Sequence, residues 1–204
     1  MSDFSRRILP VFNWLTLMVI KTIRGGLAHL SRVALLTLLF AAGVTASEPQ
    51  SIVLAPGLTL LPPSALSLEP VRSNAPDGPL VLVGHIEGEP GYFLVADRVT
   101  GKQRVSVLWE KLDIEMRGRA DARSIEVEDR GVFLTQSEAK VWYRTYRYRL
   151  GGVKLRPVYY LIRQDDQSYW LTLTTADGVD LEVVKPIVDV ILKRVIISSE
   201  TGRH

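Results

Sequence analysis

Between Ala139 and Thr175 the chain alternates along its length and is rich in Tyr, Trp, Val and Thr. Gly151-Gly152 and Asp165-Asp166 punctuate it. Side chains that alternate in this way line opposite faces of a strand, and aromatic and β-branched residues suit a pleated surface. The two interruptions are turn dipeptides of the hairpin kind. Strands are therefore expected at Ala139–Leu150, Val153–Arg163 and Gln167–Thr175, joined as two successive hairpins. A chain committed to such a meander folds around an antiparallel sheet.

The elements on either side have other periods. Val105, Leu108, Trp109, Leu112 and Met116 recur at the spacing of one helix face, with Gly118 near the end. Leu181, Val184, Ile187, Val188, Ile191 and Val195 form a second helical stripe from about Asp180 to Val195. Lys193 and Arg194 suit its C-terminal end. Pro186 requires that this helix either start near Lys185 or kink. Leu80–Glu87 and Gly91–Val99 are expected to form a hairpin around Gly88-Glu89-Pro90. Ser124–Val127 and Val132–Thr135 are two further short strands. Upstream, Pro49, Pro56, Pro62, Pro63 and Pro70 break an apolar segment that holds one short strand near Ser51–Leu54. Asn74–Pro79 is a turn cluster. The expected fold class is α+β, a mainly antiparallel sheet with two helices packed on one face.

The first 46 residues are of a different kind. Two arginine-flanked apolar runs, Ile8–Ile20 and Val33–Val44, fall short of the roughly 20 residues of a membrane-spanning helix. The second ends at Ala-Gly-Val-Thr-Ala-Ser, residues 42–47, with Val44 and Ala46 where a signal peptidase inspects the chain. Cleavage is expected between Ala46 and Ser47. A start at Met18 would give an ordinary signal peptide with Lys21, Arg24 and Arg32 as its charged region, residues 1–17 then being an over-called start or an extension. Ser5-Arg6-Arg7-Ile8-Leu9 only partly imitates a twin-arginine signal, because Pro10 and Val11 depart from its continuation. The division is thus a leader (1–46), a Pro-rich segment of the mature chain (47–78), a single α+β domain (79–198) and a tail (199–204). The expected location is the periplasm, with inner-membrane anchoring by an uncleaved leader as the alternative.

Composition narrows the chemistry. The leader holds five of the 25 basic residues and one of the 22 acidic ones, which leaves the body with 20 against 21, a net charge of −1. A nucleic-acid-binding domain is basic, so that class is excluded. The chain has no cysteine. Disulfides, a thiol nucleophile, a Cys-based zinc site, a c-type haem attachment and a lipidated N-terminal Cys are therefore all ruled out. The body has a single histidine, His85, because His29 lies in the leader and His204 is the last residue. At about 158 residues it is long enough to bury roughly two-thirds of its unfolded surface without staples.

Few residues offer a site. His85, Glu87 and Glu89 would share one face if they lay on one strand, and could hold a divalent ion or move a proton. The simpler reading is a solvent-facing strand end running into a turn. Arg147, Arg149, Lys154 and Arg156 crowd the Gly151-Gly152 turn, where they could meet an anionic lipid head group, a glycan phosphate or an acidic protein. They equally suit a solvated hairpin that resists edge pairing. Asp177 or Asp180 is expected to cap the last helix. No cofactor, metal site or catalytic residue is assigned.

The order of elements, with Val158-Tyr-Tyr-Leu-Ile-Arg-Gln-Asp-Asp-Gln-Ser-Tyr-Trp-Leu-Thr-Leu and Asp189-Val-Ile-Leu-Lys-Arg-Val, resembles the Mog1/PsbP/DcrB-like α/β sandwich over roughly residues 95–197. The resemblance implies a small non-catalytic accessory or binding module, hence a protein or envelope partner and no reaction. It supplies no site residues. Membrane contact would run through the leader or the basic hairpin. The alternative function is a carboxylate-dependent envelope hydrolase, for which Glu87 and Glu89 would need to line a cleft about 5–10 Å apart.

Overall fold

A computed structural model of the chain describes residues 51–72, 80–119 and 125–198. In chain order the elements are β1 (Ile52–Ala55), β2 (Leu58–Leu60), β3 (Leu68–Arg72), β4 (Leu80–Ile86), β5 (Glu89–Arg98), α1 (Val105–Arg119), β6 (Glu126–Leu134), β7 (Lys140–Leu150), β8 (Val153–Leu155), β9 (Val158–Gln164), β10 (Gln167–Thr175), α2 (Leu181–Leu192) and β11 (Val195–Ile197). The main sheet runs β3-β4-β5-β10-β9-β7-β6, with β8 paired to the end of β7. All its pairs are antiparallel. A small second sheet has the order β1-β2-β11.

The alternating stretch becomes the middle of the main sheet, but both of its faces are covered. Val158 to Ile162 are buried without a break, as are Ser168 to Leu171. Neighbours on a strand point to opposite faces, and a strand buried on both sides carries apolar residues continuously. On one face the Tyr159 hydroxyl meets Met116 Sδ of α1 at 3.4 Å. On the other, the Tyr160 hydroxyl donates to Asp189 Oδ1 of α2 at 3.0 Å. The two helices therefore lie on opposite faces, and the expectation that they share one is corrected. The fold class itself stands: an α+β antiparallel sheet carrying two helices.

Each helix brings its own core. Under α1, Trp109 packs edge-on to Trp170, with ring centroids 4.8 Å apart. Under α2, Val184, Val188 and Ile191 join Leu171, Leu173, Tyr169 and the small sheet's Leu58 and Leu60 in the main cluster. The Pro-broken segment thus supplies three strands where one was expected. Pro56 and Gly57 turn β1 into β2, and Gly57 takes φ 80, a left-handed conformation that glycine adopts without steric cost.

Three further elements differ from the expectation. The two strands foreseen near 124–135 are one, β6, and a bulge between Val127 and Asp129 absorbs the extra residue. The strand foreseen at Val153–Arg163 breaks at Arg156-Pro157, because proline has no N–H to give the ladder. Pro157 still contributes its carbonyl, which accepts from Tyr146 N at 3.0 Å. Finally, the helical stripe stops at Leu192. Val195 leaves it to open β11, which pairs with β2. α2 begins at Leu181 and carries Pro186 in its interior.

Candidate functional site

The β7–β8 hairpin turns on Gly151 (φ 57) and Gly152 (φ 82), the paired left-handed conformations of a primed two-residue turn. Its four basic residues divide into two pairs. Arg147 reaches Glu126 at 3.8 Å and also pairs with Glu128. Arg156 binds Glu128 through Nε, and its Nη2 donates to Glu182 Oε1 at 2.8 Å. The Glu128 side chain is only 11% exposed and is clasped between two guanidiniums. Arg156 is held above its ordinary range, first by the hydrogen bond to Glu128 and further by Glu182, with desolvation opposing. This network fastens β6, the β8–β9 break and the start of α2 to one another.

Arg149 and Lys154 are placed differently. They sit directly opposite each other across the hairpin, and both are exposed. Neither has an ion-pair partner among the described residues. Like charges facing across a strand pair repel. The hairpin tip is therefore an uncompensated cationic pair on a neutralised base.

A second polar cluster lies along α2. Lys185 Nζ donates to Asp189 Oδ2 at 2.7 Å and sits 3.8 Å from the Tyr143 ring centroid. Burial, then the Asp189 charge, pushes the Tyr160 hydroxyl far above its ordinary range. Tyr143 is raised by burial and by Asp129, with Lys185 opposing. On the other face, Asp113 of α1 accepts from the Tyr146 hydroxyl at 2.5 Å and from Arg144 Nη1 at 3.0 Å. Phenols held protonated and donating to carboxylates dock helices.

The His85, Glu87, Glu89 arrangement is corrected. The hairpin turn is Glu87-Gly88, with φ 53 and 87, so Glu87 lies in the turn and Glu89 opens the next strand. A bulge at Gly84/His85 further displaces the histidine. His85 Nε2 instead lies 3.9 Å from Glu69 on β3. Among the described residues no three His, Cys, Asp or Glu gather as metal ligands. Asp180 does cap α2, accepting from Glu182 N at 3.1 Å. Asp165, at φ 50, forms the β9–β10 turn with Asp166. Ala46 and Ser47 lie outside the described residues. No helix among the described residues is long and apolar enough to cross a membrane.

The residues that sequence reasoning missed are Glu128, Glu182, Lys185 and Asp189. The i,i+4 pair Lys185/Asp189 was a visible signal. Glu128 had none, because its position depends on the β6 bulge.

No protein-family model matches the sequence, and no curated protein matches it significantly. Among solved structures, the chain is similar to the PsbP protein of the cyanobacterium Synechocystis sp. PCC 6803 (CyanoP), with 14% identity and a TM-score of 0.50 over 78% of this chain and 99% of that one. It also aligns with LpqN of Mycobacterium tuberculosis, described as involved in cell envelope biogenesis, at 14% identity and a TM-score of 0.46 over 76% and 88%. At such identity the likeness is one of architecture, and that architecture is the Mog1/PsbP/DcrB-like α+β sandwich.

Proposed function

We propose that the chain is an exported, non-catalytic binding or accessory module of the bacterial cell envelope, and that it engages an anionic envelope component at the tip of the β7–β8 hairpin. The observation that carries this reading is the Arg149–Lys154 pair, two exposed cations held face to face with no carboxylate between them among the described residues. An anion placed between them would relieve a repulsion built into the fold. The leader ending at Ala46 supports the exported location. Other covered charged groups, such as Glu128, Arg156, Lys185 and Asp189, are taken up in holding elements together. Nothing in the hairpin geometry of Glu87 and Glu89 favours the carboxylate hydrolase.

The test is co-sedimentation of the exported protein with phosphatidylglycerol vesicles at low and high salt. Each cation near an anionic surface contributes about 1 kcal/mol. Changing Arg149 and Lys154 together to alanine should therefore weaken binding roughly 30-fold, and high salt should do the same to the parent. Binding that ignores both salt and these substitutions would remove the hairpin tip from the account.

A further inference from the structure

Two of the three charged side chains of α2 point the wrong way for a surface helix. Lys185 and Asp189 turn toward the sheet and are satisfied there by the Tyr143 ring and Tyr160, while the exposed Glu182 is paired with Arg156 at the start of the helix. Leu181, Val184, Val188, Ile191 and Leu192 fill the core. Past Glu182, what the helix shows to solvent is apolar: Val183 (55% exposed), Pro186, the half-buried Ile187 and Val190 (48% exposed). These four stand at i, i+3, i+4 and i+7, one continuous helical stripe. A helix that is apolar on its outward face as well as its inward one is a helix that something covers.

The ends of the same helix say what covers it. Asp177 and Asp180 stand exposed at its start, and Lys193 and Arg194 stand exposed at its end. Neither Lys193 nor Arg194 has an ion-pair partner among the described residues. An antiparallel copy of this helix would set the acidic start of each against the basic end of the other and oppose their dipoles favourably. The spacing is self-complementary as well. A two-fold axis passing between Pro186 and Ile187 places Val183 opposite Val190 of the second copy, and Asp180 opposite Lys193. Isologous contacts of this kind close after two subunits. The helix stripe alone is smaller than the roughly 800 Å² per partner of a standard interface. The small sheet carries an exposed row of its own, Val53, Thr59 and Ile196, in which Val53 is 61% and Ile196 39% exposed.

We infer that the chain forms a two-fold homodimer through the outer face of α2, with the helices antiparallel and Val183 packed against Val190 of the second copy. The inference does not depend on the anion-binding reading, since the hairpin tip and the helix stripe share no residue.

The experiment is sedimentation equilibrium of the purified, exported protein across a concentration series. The parent should fit a reversible monomer–dimer equilibrium. Val190→Glu, which sets a carboxylate against Val183 of the second copy, should weaken dimerisation about tenfold or more. Val183→Lys should do the same from the other side. The two substitutions together in one chain should recover most of the lost association, because the register brings the introduced ammonium of each copy against the introduced carboxylate of the other, and does so twice. Far-UV circular dichroism of each variant checks that the half-exposed substitutions leave the fold intact, and the double variant keeps the test alive should one single variant fold poorly. A parent that is monomeric at every concentration overturns the inference, as would a monomer whose apolar stripe instead takes up detergent or vesicles. Unchanged association in both single variants, or no recovery in the double, overturns it too.

Discussion

At the scale of single residues, two glycines decide where tyrosines can lie. Gly84 of β4 faces Tyr92 of β5, and a Cβ at Gly84 would stand 2.0 Å from the ring. Gly131 of β6 faces Tyr143 of β7, and a Cβ there would stand 2.6 Å from that ring. The difference lies in what can yield. Tyr92 is 1% exposed, and burial lifts the pKa of its hydroxyl to about 12, so the ring has nowhere to go. Tyr143 is half-buried at the surface and can swing aside. Gly84→Ala should therefore cost about 2–3 kcal/mol, in the range of core overpacking, and Gly131→Ala distinctly less. Urea unfolding of the two variants measures this, and equal costs would contradict the packing described. Neither glycine was legible as a packing device in the sequence. A glycine in a strand announces a bulge or a close approach, but the ring it accommodates comes from a strand whose register the sequence does not print. Glu128 is the same case, since its burial between Arg147 and Arg156 follows from the β6 bulge.

At the scale of elements, periodicity located what it could. The helix stripe from Val105 to Met116 became α1, and the meander became β7 to β10, because long segments of clear period carry their own signal. Three-residue strands such as β2 and β11 carry none, and exist because a partner strand was already in place. The side on which a helix packs was equally hidden, since unbroken burial on β9 offers two faces of equal quality. α1 is docked by Trp109, which is 4% exposed, stacked edge-on to Trp170 and roofed by the Arg144 guanidinium at 4.5 Å. Trp109→Ala should cost about 3–5 kcal/mol. Ile114→Ala on the outer face of the same helix, where the side chain is 61% exposed, should stay within about 0.5 kcal/mol. Chemical denaturation compares the two, and similar losses would mean that α1 is not held by its tryptophan.

At the scale of the whole molecule, the architecture was readable and the site only in part. The antiparallel α+β class followed from period and turns, and the order of elements carried its likeness to the PsbP fold. The basic hairpin was visible as four charges near a Gly-Gly turn. Which two of the four are spoken for depended on Glu126, Glu128 and Glu182, residues distant in sequence or out of phase. The helix stripe of α2 and the hairpin tip share no residue, so association and anion binding can be tested one at a time. The envelope reading presupposes a chain that leaves the cytoplasm. Cell fractionation followed by intact mass of the native protein tests that premise most directly. The account predicts a periplasmic species whose mass corresponds to a chain beginning at Ser47. A cytoplasmic protein that retains its first 46 residues would contradict it.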